Sequence, residues 1–266
     1  MFDPSCFFEL KAFAHARLFA DCPQVWLALK HLKAYMDDTM SVRLEHEQIV
    51  SGEPLARPVV LYHGELLDGS SCNIRYGDAT KGGLEVYQNG DLLEGATVIM
   101  AGAVLVGSRI ELGQGVLIES GALVKEPAII GDRSEIRQGA YMRGYCLIGE
   151  RCVVGHTTEV KHSVFLDDAK AGHFAYLGDS ILGGNANLGA GTKFANLRFL
   201  PGNVKVRTPD GLVDSGLRKF GAILGDGCQT GCNSVTNPGT VFGPGSILMP
   251  NTTAASGFHP EKSVIH

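Results

Sequence analysis

Residues 130–148 read Ile-Gly-Asp-Arg-Ser-Glu-Ile-Arg-Gln-Gly-Ala-Tyr-Met-Arg-Gly-Tyr-Cys-Leu-Ile, so an aliphatic or Met returns every six residues at Ile130, Ile136, Met142 and Ile148. The same step reaches back through Val124, Ile118, Leu112 and Val106, and forward through Val154, Val160 and Leu166. The fifth place of each hexad is small or β-branched at Ile110, Val116, Ala122, Ala128, Ser134, Ala140, Cys146, Cys152, Thr158 and Val164, and fails at Lys170. Gly107, Gly113, Gly131, Gly149 and Gly155 take the second place. A period of six suits neither an α-helix at 3.6 residues nor a strand at two. It suits a prism of short strands joined by corners, a single-stranded parallel β-helix. Three hexads make one coil, and residue i lies over i+18. The large aliphatic then fills the prism, the small fifth residue fits beside it, and Gly serves the corner.

Outward from this core, Met100 fits the phase and Glu94 does not, which predicts a start near residue 95. Leu182 and Leu188 take the step up again, and Leu224, Thr230, Thr236, Phe242 and Leu248 carry it on. Residues 198–222 do not fit and must leave the coil as a loop. In residues 1–42, Val25, Leu29, Leu32 and Met36 recur at helical spacing, with Pro23 near the start and Asp21 as N-cap. The segment from Phe7 to Phe19 also reads as helical, and residues 43–94 as short strands with Gly turns. The expected organisation is a helical and short-strand region over 1–94, serving as a cap or an oligomer contact. A mainly β domain over 95–266 follows.

Composition limits the function. Thirty-five glycines in 266 residues exceed the usual share of roughly 7% and ask for many tight corners. The net charge of −5 gives no support to nucleic-acid or anionic-membrane binding. Apolar runs fall short of the roughly 20 residues that span a bilayer. Cys6, Cys22, Cys72, Cys146, Cys152, Cys228 and Cys232 form no CxxC pair. Their odd number, with no secretory signal, favours reduced thiols and a cytoplasmic location.

Chemistry should sit where the repeat is interrupted. Gly172 takes the place of an inward aliphatic, within Lys-Ala-Gly-His-Phe-Ala-Tyr-Leu-Gly-Asp over 170–179. Asn-Ala-Asn-Leu-Gly-Ala-Gly-Thr follows over 185–192, and then Asn196. An imidazole beside this interruption titrates in the range that suits a general base near neutral pH. Arg143 and Lys161 are one coil apart. Their stacked cations, about one strand spacing or ~4.8 Å from each other, invite an anion such as a phosphate. Backbone N–H groups near Gly189 to Gly191 are candidates for oxyanion stabilisation.

These two segments resemble the acetyltransferase domain of the bifunctional N-acetylglucosamine-1-phosphate uridyltransferase/glucosamine-1-phosphate acetyltransferase, a hexapeptide-repeat acyltransferase family, over roughly residues 95–255. The resemblance implies a left-handed β-helix, an exception to the right-handed rule for parallel crossovers. It implies His173 as general base, and Arg143, Lys161, Tyr176 and Asn187 on the amino sugar phosphate or sugar nucleotide. It implies Ala190, Asn196 and Cys232 on acetyl-CoA or another acyl-CoA, and a homotrimer with sites between subunits. Two departures stand out: Leu197 where the family has Tyr, and the longer 198–222 segment with Lys205, Arg207, Arg218 and Lys219. The first 94 residues lack a Gly-rich nucleotide-binding segment, so no nucleotidyltransferase activity is expected of them. An alternative is a catalytically inactive sugar-nucleotide-binding or scaffold protein on the same fold. A further one is a γ-carbonic-anhydrase-like metal enzyme using His156, His162 and His173. The spacing of those three matches that family poorly, and no metal is expected.

Overall fold

A computed structural model describes residues 2–266 of the chain. It is mainly β, a parallel β-helix of about nine turns with one α-helix. The chain runs repeatedly across three faces in the same order. The first coil illustrates this, with Thr97–Ile99 on face I, Val104–Val106 on face II and Ile110–Leu112 on face III before the chain returns at Leu117–Ile118. Within the helix each strand pairs in parallel with its equivalent one coil on. Among the described residues, no helix is long and apolar enough to cross a membrane.

The hexad places the interior correctly through the middle coils. Ile118, Val124, Ile130, Ile136, Met142, Ile148, Val154 and Val160 are buried in one continuous core, with Ala122, Ala128, Ala140, Cys146 and Cys152 beside them. In the first coil and around residues 163–171 the coil changes length and the expected phase needs correction, whereas the resumed step holds, with Leu182, Leu188, Leu224, Phe242 and Leu248 buried in the same core. In the first coil the inward residues are Ile99 and Leu105, both buried, while Met100 and Val106 are half-exposed. Leu105 stands opposite Val124, one residue off the strict step.

Later, Ile148 pairs with Phe165 instead of Leu166. Phe165 therefore fills the prism and Leu166 faces outward against other side chains. One coil on, Val154 pairs with Ala171 and Val160 with Leu177. Gly172 is thus not an inward gap, because Ala171 takes that place and Ala169 takes the fifth place expected of Lys170. The physical reason is volume: the large ring of Phe165 and the small methyl of Ala171 fill a coil that is one residue short. A fully buried side chain of this kind contributes roughly 1.5–3 kcal/mol, enough to fix the register.

The N-terminal residues have two placements. Residues 2–26 contain only two single 3-10 turns, Pro4–Cys6 and Ala16–Phe19, where a longer helix was expected. The α-helix runs Leu27–Thr39 with Trp26 at the N-cap position, and Asp21 lies upstream in a left-handed turn. Phe7, Phe8, Trp26, Leu29 and Leu32 pack with the outward residues Ile129, Leu147, Val164, Ile181 and Ile223 of face III. Leu44, Leu55 and Val59 join the interior core at the first coil. The strand Val59–Tyr62 adds antiparallel to Thr97–Ile99.

The excursion after face II holds an antiparallel hairpin, Lys205–Thr208 with Gly211–Asp214. Val204 and Val206 are buried in the same cluster as the face III residues.

Candidate active site

With face III covered, face II stays open over its central coils. Its outward residues Tyr141, Glu159 and Tyr176 are half-buried, and Lys193 is exposed. Register aligns these four in one column across successive coils. A neighbouring column follows from the next position along each strand. Arg143 donates its backbone N–H to the Val160 carbonyl, and Lys161 stands opposite Gly178. Arg143 and Lys161 thus occupy adjacent rungs, as their spacing requires.

Each of these cations already has a carboxylate. Arg143 bonds Glu159 at 2.7 Å, and its guanidinium also lies over the Tyr141 ring. The Glu159 contact, helped by nearby tyrosines, holds the Arg143 proton more tightly than usual. Lys161 Nζ is 3.6 Å from Asp179. Lys125 also sits over Tyr141, at 5.3 Å. The open face is therefore rich in cations and aromatic edges, with Glu159 among them.

Asp179 organises the corner between faces II and III. It is 6% exposed, and its carboxylate takes a 2.6 Å bond from Asn196 Nδ2 and lies 2.9 Å from His162 Nδ1. Burial alone would raise its pKa, but the His162 contact, the charge of Lys161 and the Asn196 bond outweigh that and hold it below the ordinary carboxylate range. Tyr176 is also close to Asn196. Burial first, then the charges of Glu159 and Asp179, push its phenol upward. Gly178 makes room here, since a Cβ at that position would meet the Asn196 amide and stand 2.7 Å from the Tyr176 hydroxyl.

His173 ends the strand Lys170–His173 at the other edge of face II, on the corner with face I, and is exposed. Its ring stacks on His156 at 5.6 Å, one coil back. Gly155 and Gly172 permit this approach, because a Cβ on Gly155 would strike the Gly172 carbonyl. A ladder of backbone bonds continues along this corner, from Gly191 N–H to His173 O at 2.9 Å and from Asn233 N–H to Ala190 O at 2.8 Å. Asn251 N–H then bonds Cys232 O. His156, His173, Ala190 and Cys232 thus form one column.

The expected site residues fall into groups. His173, Ala190 and Cys232 share that column, with Cys232 exposed. Lys161, Tyr176 and Asn196 gather around Asp179 at the far edge of face II, and Arg143 stands one rung back, held by Glu159. Asn187 is exposed on face I, between Lys170 and Gln229, and joins neither group within this chain. His162 is tied to Asp179 and is separate from the His156 and His173 pair. Among the described residues no cluster of three metal-type ligands exists. The sequence reading gave no role to Lys125, Tyr141, Glu159, Asp179 or Lys193. One coil of 18 back from Arg143 reaches Lys125, whereas Glu159 and Lys193 lie 17 from Tyr176, on the shorter coils.

The family of the GMPPB C-terminal domain matches residues 124–215. A bifunctional sugar-1-phosphate nucleotidylyltransferase/acetyltransferase of Sulfurisphaera tokodaii is 40% identical over 88 residues, 33% of this chain and 22% of that protein. The bifunctional protein GlmU of Methanococcus maripaludis is 42% identical over 89 residues, 34% of this chain and 21% of that protein. The chain thus spans about a fifth of the length of these relatives. A solved mutant of GDP-perosamine N-acetyltransferase from Caulobacter crescentus, bound to CoA and GDP-perosamine, is 19% identical. It covers 59% of this chain and 51% of its own, at a TM-score of 0.25. The resemblance read from residues 170–192 agrees with the sequence relatives, whose matched part is their C-terminal acetyltransferase region.

Proposed function

We propose that the protein is an acyl-CoA-dependent acyltransferase acting on an amino sugar phosphate or sugar nucleotide, with His173 as general base. The observation that carries this reading is the column of His173, Ala190 and Cys232 at one edge of the open face, with Arg143 and Lys161 on adjacent rungs at the other. An acceptor lying across face II would keep its phosphate on Arg143 and Lys161, by a guanidinium fork and a point charge. The Arg143–Glu159 pair is part-exposed, and exchange of such a pair for a phosphate costs little. Tyr176 would orient the sugar, and Asn187, which lies on face I, would reach it only from a neighbouring subunit.

His173 would take a proton from the nitrogen or hydroxyl as it adds to the thioester carbonyl, and would return that proton to the sulfur as the carbon–sulfur bond breaks and the thiol of CoA leaves. Backbone N–H groups at Gly189 to Gly191 would meet the developing oxyanion. The acyl chain would lie along Ala190 and Cys232, and Asn196, held by Asp179 at the opposite edge of face II, would reach the donor only from a neighbouring subunit. Acetyl-CoA is the first donor to try. Subunits of a homotrimer would supply the missing wall of the cleft, and the protein would work in the cytoplasm.

The test is acyl transfer from acetyl-CoA to glucosamine-1-phosphate and a panel of amino sugars and their nucleotides. We expect His173→Ala to lower kcat by 10²–10⁴-fold, with donor binding retained. Unchanged transfer by His173→Ala refutes the base assignment. Ligand binding with no turnover by the parent protein selects the inactive binding-protein reading, which Leu197 and the paired cations favour.

A further inference from the structure

We propose that the excursion after Phe194 forms a subsite for a nucleoside diphosphate moiety. Its groove, of about 490 Å³, is bounded by Ala195, Leu197 and Phe199 on one side and by Lys205, Arg207 and Leu212 of the hairpin on the other. That size falls in the ordinary range for a ligand cleft, roughly 300–1,000 Å³.

Three features point to this chemistry. The first is charge: Arg198, Lys205 and Arg207 line the groove, and none of the three is in an ion pair among the described residues. Asp214, opposite Lys205 across the hairpin, offsets part of it, but it is held chiefly by the Gly216 N–H and Asn203 and does not line the groove. Arg198 is fixed by a 2.6 Å bond to the Asn203 carbonyl, which leaves its other N–H groups to a ligand. The second feature is an apolar surface with nothing on it. Phe199 is wholly exposed, and Leu200 and Leu212 are 66% and 61% exposed, a cost that a planar base would remove by stacking.

The third is rigidity. Along Lys205–Thr208 exposure alternates, so Val206 and Thr208 are buried while Lys205 and Arg207 face out. Arg207 packs closely against Gly257, whose left-handed backbone leaves no room for a side chain there. The cations are therefore presented on a fixed platform beside Asn196, and a phosphate finds them already placed.

A diphosphate beside a base can come from two sources, the ADP end of an acyl-CoA or the nucleoside diphosphate of an activated sugar. This choice of ligands rests on the proposed acyl transfer, but the binding does not need turnover. The experiment is calorimetric titration of the full chain with CoA and, separately, with UDP and GDP. It is repeated on Lys205→Ala/Arg207→Ala and on Phe199→Ala, with folding checked by circular dichroism. We expect at least fivefold weaker binding in one arm for both variants. Loss in the CoA arm assigns the donor, and loss in the UDP or GDP arm assigns the acceptor. Parent protein that binds none of these, or binding changed less than fivefold in every arm, overturns the proposal. Absence of acyl transfer by the parent, with nucleotide binding and its loss intact, overturns only the proposed reaction.

Discussion

Replacing Asp179 should separate the corner that holds the proposed phosphate residues from the rest of the helix. Asp179→Ala leaves His162, Asn196 and Lys161 facing an empty acceptor position in a corner that is nearly closed to water. Hydrogen bonds to a charged group contribute about 1.5–3 kcal/mol each, and breaking a buried pair costs roughly 3–5 kcal/mol. Lys161 lies 3.6 Å away and is 27% exposed, so it adds little. The expected loss is about 3 kcal/mol. At roughly 2–4 °C per kcal/mol for a domain of this size, melting should fall by about 6–12 °C. Asp179→Asn keeps the shape and a carbonyl for Asn196, and should lose about half as much.

The same variant has a pH signature. The folded-state pKa of Asp179 is lowered, so its contribution is complete above the unfolded value of about 3.9 and disappears as pH falls through the folded value. The gap in melting temperature between the parent and Asp179→Ala should therefore be full at pH 7 and narrow below pH ~4. Melts followed by circular dichroism at both pH values make the comparison. If Asp179→Ala melts within 2 °C of the parent at pH 7, or if the gap widens in acid, the network is not what holds this corner.

Three further outcomes follow from the same geometry. Gly178→Ala should push the Asn196 amide and the Tyr176 hydroxyl aside, raising KM for the acceptor severalfold and, because the same amide holds Asp179, lowering the melting temperature as well. Thiol labelling of the native protein should mark exposed Cys6 and Cys232 quickly. It should spare Cys146 and Cys228, whose thiols burial pushes up to about 12, and acyl-CoA should slow the reaction at Cys232. Ala169→Leu should cost about 1–3 kcal/mol by overpacking the prism, whereas Lys170→Leu, on the outer surface, should stay within about 0.5 kcal/mol; equal losses in a denaturant titration would contradict the register.

The prism was legible because its signal repeats: each inward position from Ile118 to Val160 has a large neighbour one coil away, and a single odd residue does not hide the period. Register in the first coil and around residues 163–171 was not legible from a fixed step of six, although the step resumed correctly from Leu224 to Leu248. A coil can gain or lose one residue at a corner with no change in composition, and only the packing of Phe165 and Ala171 reveals that it has. Gly172 looked like a gap in the core for this reason, although it faces out and serves the approach of two histidines. The column of Arg143 and Lys161 survived because both residues precede the slip. Asp179 escaped notice because its partners His162 and Asn196 are aligned only once the shorter coil is counted. The placement of Phe7, Phe8 and Trp26 against face III was equally hidden, since an apolar stripe does not name the surface it will cover.

Within one chain His173 and the Arg143 column stand at opposite edges of the same open face, and His173 is exposed. A cleft that excludes water therefore needs a second wall, and a neighbouring copy presenting its own face would supply it. If each site takes His173 from one protomer and Arg143 from the next, two inactive variants should rescue one another. In an equal mixture of His173→Ala and Arg143→Ala, reassembled as closed rings, the chance that a given interface pairs an intact histidine with an intact arginine is about one in four. Activity should then recover to about a quarter of the parent after mixing and reassembly, and should stay near zero if the two preparations are kept unexchanged. No recovery from subunits shown by mass spectrometry to have mixed would mean that each site is built within a single chain, and the shared cleft would have to be abandoned.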